Sequence, residues 1–97
     1  MKNAIKYVRS LSVKKFRDAE QSFVAEGPKV VADLLPLMPC RQLFATPAFL
    51  SRENPRDWRG VEEVVEATDA DIERLSSLRA PREVVAVFRQ PLPETDD

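Results

Sequence analysis

A chain of 97 residues with 43% hydrophobic and 32% charged residues has the make-up of one ordinary globular domain, large enough to bury a core without disulfide or metal staples. It carries one cysteine and no histidine, which excludes an internal disulfide, a thiolate cluster, histidine metal ligands and the histidine-dependent serine and cysteine catalytic pairs. The net charge is only −1, but Met1 to Arg17 holds six basic residues (Lys2, Lys6, Arg9, Lys14, Lys15, Arg17) and no acid, against nine basic and sixteen acidic residues in the remainder. A chain polarised in this way can attract an anion at one end and stay soluble through the other.

No apolar run approaches the ~20 residues that span a bilayer. The start alternates basic and apolar residues without the apolar centre of a signal peptide, so the expectation is a cytoplasmic protein with no membrane partner. From Lys2 to Leu11, apolar residues at Ala4, Ile5, Val8 and Leu11 form one helical stripe, with Lys2, Lys6 and Arg9 turned to solvent. Ser12 is placed to cap a second short helix, Val13 to Gln21, with Phe16 and Ala19 inward. Ser22 to Glu26 is short and apolar and reads as a central strand. Gly27 allows a sharp turn, and Pro28 suits the first turn of a buried helix, Pro28 to Leu37, that Pro39 stops.

Arg41 to Thr46 reads as a second strand, with Cys40 beside it as a small buried hydrophobe. Pro47 opens a short helix that ends before Pro55, and residues 53 to 60 form a loop. Trp58 in that loop is either a lid over the core edge or an exposed surface on which a base could stack. Val61 to Ala67 reads as a third strand centred on Val64 and Val65. Thr68 and Asp71 resemble a capping box at the start of a helix, Asp69 to Leu78, with Ala70, Ile72, Leu75 and Leu78 inward. A turn at Arg79 to Arg82 leads into Val84 to Phe88, the most strand-like run of the chain, before a polar tail. Helices alternating with strands predict a sheet covered on both faces, its strands largely parallel with one running opposite.

Little in this chain can do chemistry. With only Gly27 and Gly60, neither the dinucleotide nor the P-loop pattern can exist. Glu62, Glu63 and Glu66 fit a solvated acidic face, and Ser76-Ser77 has no base. What remains is cationic. Lys14, Lys15 and Arg17 lie within four residues, with Lys14 and Arg17 on one helical face, and could each meet a phosphate; the alternative is a solvated helix face with Arg17 paired to Glu20 or Glu26. Glu26-Gly27-Pro28-Lys29 is a second candidate, a helix start with free N–H groups and the Lys29 charge; the alternative is a plain turn in which Glu26 accepts bonds from those N–H groups.

The run RSLSVKKFRDAEQSFVAEGPKVVADLL is similar to the start of SpoU/TrmH-type RNA 2′-O-ribose methyltransferases: a serine–leucine step (Ser10-Leu11), a lysine-rich turn ending in arginine (Lys14 to Arg17) and a phenylalanine strand into Glu-Gly-x-Lys (Phe23 to Lys29). The run LSSLRAPREVVAVFRQP resembles the end of the same domain, with Leu75-Ser76, Pro81, Ala86-Val87-Phe88 and Pro91. Glu20-Gln21 stands where that family commonly has a small residue or glycine, and Arg82-Glu83 where it often has Gln-Gly.

The resemblance implies the N-terminal substrate-binding domain of such an enzyme: a three-layer α/β/α sandwich with a four-stranded mixed sheet, similar to the ribosomal proteins that bind kink-turn RNA. It spans residues 1–91, with 92–97 a polar tail or the start of a linker. The implied partners are transfer or ribosomal RNA, held by Lys14, Lys15, Arg17, Glu26, Gly27 and Lys29, and the chain's own C-terminal methyltransferase domain, with a homodimer left open. No catalytic residue and no cofactor is expected in this chain, while S-adenosylmethionine is expected in the absent catalytic domain. The alternative is a protein-interaction or dimerisation module without RNA affinity, for which the acidic second half speaks.

Overall fold

The structure, a computed structural model, describes residues 2–52, 60–76 and 83–90. In chain order its elements are α1 (Lys2–Ser10), α2 (Lys14–Glu20), β1 (Ser22–Glu26), α3 (Pro28–Leu34), β2 (Cys40–Ala45), α4 (Pro47–Arg52), β3 (Val64–Glu66), α5 (Asp69–Leu75) and β4 (Val84–Arg89). Trp58, Leu78, the Arg79–Arg82 turn and the tail from Pro91, with the expected domain boundary, lie outside the described residues.

Strand β4 is apolar over five consecutive residues, Val84 to Phe88, and all five are fully buried. A strand with no polar face needs cover on both sides and a partner on both edges. It has them: the sheet order is β1-β4-β2-β3, with β4 antiparallel to β1 and to β2, and β2 parallel to β3. The expected four-stranded mixed sheet is present. Three strands run one way and one runs opposite, as the reading required, but the odd strand lies inside the sheet, so one adjacent pair is parallel rather than most. Ser22–Glu26, expected at the centre, is an edge strand. Its apolarity comes from cover on both faces, which does not distinguish an edge from a centre once helices flank the sheet.

The pleat divides the core in two. Val84, Ala86 and Phe88 face one layer, with Val31 of α3 and Phe49 of α4. Val85 and Val87 face the other, with Val8 of α1, Leu11, and Ile72 and Leu75 of α5. Phe23 stacks on its cross-strand partner Phe88 at 5.9 Å between ring centroids. Each fully buried side chain of this size contributes about 1.5–3 kcal/mol before entropy is counted. In β2 the register shifts between Cys40 and Gln42, so Cys40 and Leu43 share a face although three residues apart. The bulge leaves Arg41 out of alternation. Cys40 is buried, as expected, and burial pushes its thiol up to about 11.

Several local expectations are corrected. Ser12 does not cap α2: its hydroxyl donates to the Arg9 carbonyl at 2.9 Å, and the N-cap is Val13, which makes no side-chain bond. Phe16 (45% exposed) and Ala19 face solvent, because this short helix leans on the edge strand β1 rather than on a sheet face. Helix α3 ends at Leu34 rather than Leu37, two residues before Pro36, which has no N–H to donate and disfavours helical geometry in the residue before it. Only Val31 of α3 is fully buried, while Val30 and Leu37 are exposed. The third strand is shorter than Val61 to Ala67, with an isolated Cys40–Val61 bridge ahead of it, and Val64 is exposed. Helix α5 stops at Leu75, where Ser76 turns extended, and Ala70 faces solvent.

The capping box forms as read. Asp71 N–H donates to Thr68 Oγ1 at 3.0 Å and Thr68 N–H to Asp71 Oδ2 at 3.1 Å. The bond from the Thr68 backbone is the main reason the Asp71 carboxyl is held below its ordinary value.

Candidate nucleic-acid interface

Helix α1 ends at Ser10 and α2 begins at Lys14, so three residues join them with Leu11 as their buried anchor. The carbonyls of Leu11 and Ser12 at this joint are left over from helical bonding. Arg17, one turn into α2, donates from Nη1 to both, at 3.0 and 2.9 Å. The guanidinium is thus fixed by the backbone and not, as the alternative had it, by Glu20 or Glu26. Its other three N–H donors meet no partner among the described residues. Arg9, on the last turn of α1, donates from Nη1 to the Arg74 carbonyl at 3.2 Å, placing a cation at the C-terminal end of α5 where the helix dipole favours one.

The two arginines border a cleft of about 510 Å³ bounded by the end of α1, the start of α2, β1 and the end of α5. Val8, Leu11, Val24 and Leu75 form its apolar side, and Ser12 lies on the rim. Glu26 and Ser76 also line the cleft, the Ser76 hydroxyl donating to the Glu26 carboxylate. Glu26 therefore turns to the residue after α5, not to the first turn of α3 as the plain-turn alternative supposed.

The expected site residues divide three ways. Arg17 and Glu26 share the cleft. Lys14 and Lys15 are exposed on α2. Lys14 Nζ is paired with Asp18 at 2.8 Å, but at 80% and 57% exposure such a pair is worth only a few tenths of a kcal/mol, and a phosphate can displace it. Lys15 lies 6.0 Å from the centroid of the Phe16 ring, and neither it nor Arg17 nor Lys29 makes an ion pair among the described residues.

Gly27 and Lys29 form the third group. Gly27 has φ 96° and ψ 148°, and its N–H donates to the Val84 carbonyl at 3.0 Å. That N–H is spent on the sheet and is no phosphate donor. Lys29 stands on α3, whose buried side packs on the sheet face opposite α1 and α5. Sequence reasoning missed Arg9 and Ser12 as cleft residues and Phe16 as an exposed ring.

A second polar cluster ties this region together. Arg41, displaced by the bulge, donates from Nη1 to Tyr7 Oη at 3.0 Å and to the buried Ser22 Oγ at 3.2 Å, with Glu20 at 3.8 Å. One side chain thereby joins α1, the end of α2, β1 and β2. Glu62, within the expected acidic face, is bound by Arg89 at 2.8 and 3.1 Å, which holds its carboxyl below the ordinary value.

The family model of the MRM3-like substrate binding domain matches residues 2–86. The chain belongs to this family. Solved structures agree with the placement. The domain is similar, at 41% identity and TM-score 0.79, to a protein from Porphyromonas gingivalis assigned to the TrmH family of RNA methyltransferases, over 93% of this chain and 35% of that one. It is similar, at 30% identity and TM-score 0.71, to an rRNA methyltransferase from Sinorhizobium meliloti, over 91% of this chain and 34% of that one. An AdoMet-bound rRNA methyltransferase structure from the same organism matches at 29% identity and TM-score 0.68, over 91% of this chain and 33% of that one. The substrate-binding domain thus spans about a third of the length of these relatives. No curated protein matches it.

Within this substrate-binding domain the backbone explains a departure from the family pattern. Gln21 is the C-cap of α2 and sits at φ 52°, ψ 43°, a left-handed conformation that glycine adopts without cost. Its side chain compensates in part, Nε2 donating to the Asp18 carbonyl at 2.7 Å. Glu83, at the other departure, is bound by Arg52 at the end of α4.

Proposed function

We propose that this domain grips transfer or ribosomal RNA so that a separate domain can methylate a ribose 2′-oxygen. The observation that carries the reading is the α1–α2 joint, where Arg17 is held rigidly by two carbonyls beside the solvent-facing Lys14 and Lys15. A fixed guanidinium loses little entropy on meeting a phosphate, and the flexible lysines follow the backbone on either side. The matches to an rRNA methyltransferase and to a TrmH-family protein support this assignment.

The methyl donor is S-adenosylmethionine, bound by the separate catalytic domain. The residues described here do not fit that cofactor: the one glycine turn among them with positive φ gives its N–H to the sheet, and the cleft offers arginines to an anion rather than a cradle for a sulfonium. The part this domain plays in the reaction is to hold the RNA.

Titration of a structured rRNA fragment, read by fluorescence anisotropy, tests this. With two to three phosphates neutralised, affinity should fall about 7- to 40-fold between 50 and 200 mM salt. Lys14→Ala combined with Lys15→Ala should weaken binding and flatten that dependence. Salt-independent affinity, or none lost in the double variant, would refute the proposal.

A further inference from the structure

We infer that the cleft between α1, α2, β1 and the end of α5 receives one unpaired nucleotide of the bound RNA, its phosphate on Arg9 and Arg17 and its base against the apolar wall. The inference rests on the RNA-binding reading and deepens it. A grip made of surface cations needs no cavity, yet the described residues enclose about 510 Å³ directly beside that grip. This lies within the ~300–1,000 Å³ of clefts that take a single small ligand.

The wall chemistry is divided as a nucleotide's is. Val24 forms the exposed part of the apolar side, over the buried Val8, Leu11 and Leu75. Both arginines line the same cleft, and each guanidinium is fixed through Nη1 by backbone carbonyl bonding, so little ordering is left for it to lose on meeting an anion. Glu26, engaged by Ser76, also lines the cleft and adds a polar edge to it. A base within a duplex is stacked and cannot reach such a wall, whereas one from a loop or bulge can.

The test titrates the chain with each of the four nucleoside 5′-monophosphates, and separately with inorganic phosphate, reading ¹⁵N–¹H NMR shifts of amides and arginine Nε–H groups. The nucleotides should move Val24 and Leu75 together with Arg9, Ser12 and Arg17, while phosphate should move the arginine rim alone. Ser12→Trp fills the mouth from an exposed position and should abolish the nucleotide shifts. Arg9→Gln, which keeps a backbone donor, should weaken them, and it serves where the tryptophan disturbs folding. Nucleotide shifts identical to those of phosphate, or shifts that survive both variants, overturn the inference.

A second arm compares an RNA hairpin carrying a one-nucleotide bulge with the same hairpin fully paired. The wild type should prefer the bulge about tenfold, as expected where one base removes part of its face and of the apolar wall from water, and Ser12→Trp should lose the preference. Equal, salt-dependent binding of both hairpins by the wild type would leave the grip standing and remove the cleft's role. Mononucleotides filling the cleft while neither hairpin binds would do the reverse.

Discussion

Replacing Arg17 separates its two duties. Its Nη1 bonds to the Leu11 and Ser12 carbonyls are charge-assisted, and each in full burial would be worth about 1.5–3 kcal/mol. One is half-buried and the other exposed, so about 1 kcal/mol each is the better figure. Arg17→Gln should therefore cost about 2 kcal/mol, a fall of roughly 8–16 °C in Tm for a domain of this size. Arg17→Lys keeps the charge and can satisfy one carbonyl at a time, so it should cost about half as much. RNA binding should sort the two differently. The lysine variant should keep the wild-type salt slope, and the glutamine variant should lose about 0.7–0.9 from it, the share of one phosphate. Thermal unfolding by circular dichroism and anisotropy across salt measure both. A glutamine variant melting within a degree or so of wild type would refute the claim that this fork closes the α1–α2 joint. An unchanged salt slope would refute its contact with phosphate.

The left-handed Gln21 predicts an ordering: Gln21→Gly relieves about 1–2 kcal/mol of backbone cost and gives back much of it through unfolded-chain entropy, so its Tm should equal or exceed wild type. Gln21→Val, β-branched at positive φ, should melt below both, and the reverse order would be fatal to the argument. Thr68→Ala removes the N-cap of α5 and should cost about 1 kcal/mol, roughly 4–8 °C in Tm. The depressed Asp71 carboxyl adds stability present above its unfolded value and lost as pH falls through its lower folded value; Asp71→Asn, which removes the titrating group, should therefore flatten the acid limb of the stability curve, while Thr68→Ala, which keeps the backbone donor, should leave most of it. Cys40 titrates at about 11 when folded against an ordinary 9, so the folded state keeps its proton longer than the unfolded state as pH rises. Stability should fall by about 1.4 kcal/mol per pH unit between those values and by nothing from this group below pH 8, with urea midpoints as the measure. Reaction of the thiol with a disulfide reagent should require unfolding at neutral pH; stoichiometric labelling of the native domain would contradict its burial.

Residue patterns announce cover more reliably than position. The run Val84–Phe88 could be read as the best strand because five apolar residues in a row demand burial on both faces, and it is the strand with partners on each side. The same logic misplaced Ser22–Glu26, since a five-residue edge strand between two helical layers presents an equally apolar pattern. Capping at Thr68 was legible because both halves of the box are local, three residues apart. Capping at Ser12 was misread because its hydroxyl can either accept from the N–H groups ahead of it or donate to the carbonyl behind it, and the turn behind it won. Phe16 looked inward because helical spacing assumes a sheet face underneath, whereas α2 leans on a strand edge and leaves that ring exposed.

The site shows the same limit more sharply, and the reason bears on how the domain works. Charge clustering along the chain singles out Lys14, Lys15 and Arg17, because six cations without an acid in seventeen residues create a field however they fold. It could not show that Arg17 and Arg9 differ from the lysines. That difference comes from where the backbone leaves carbonyls to be met: those of Leu11 and Ser12 in the α1–α2 joint immobilise Arg17, and that of Arg74 at the end of α5 immobilises Arg9. Fold and charge are coupled at this point, because the end of a helix supplies acceptors that only a cation can satisfy well. The lysines supply long-range attraction that any polyanion would feel. The two immobilised guanidiniums line one cavity with Val24 and Leu75, and on the proposed reading any discrimination between RNA shapes arises there, at an arrangement that exists only once residues more than sixty positions apart have been brought together.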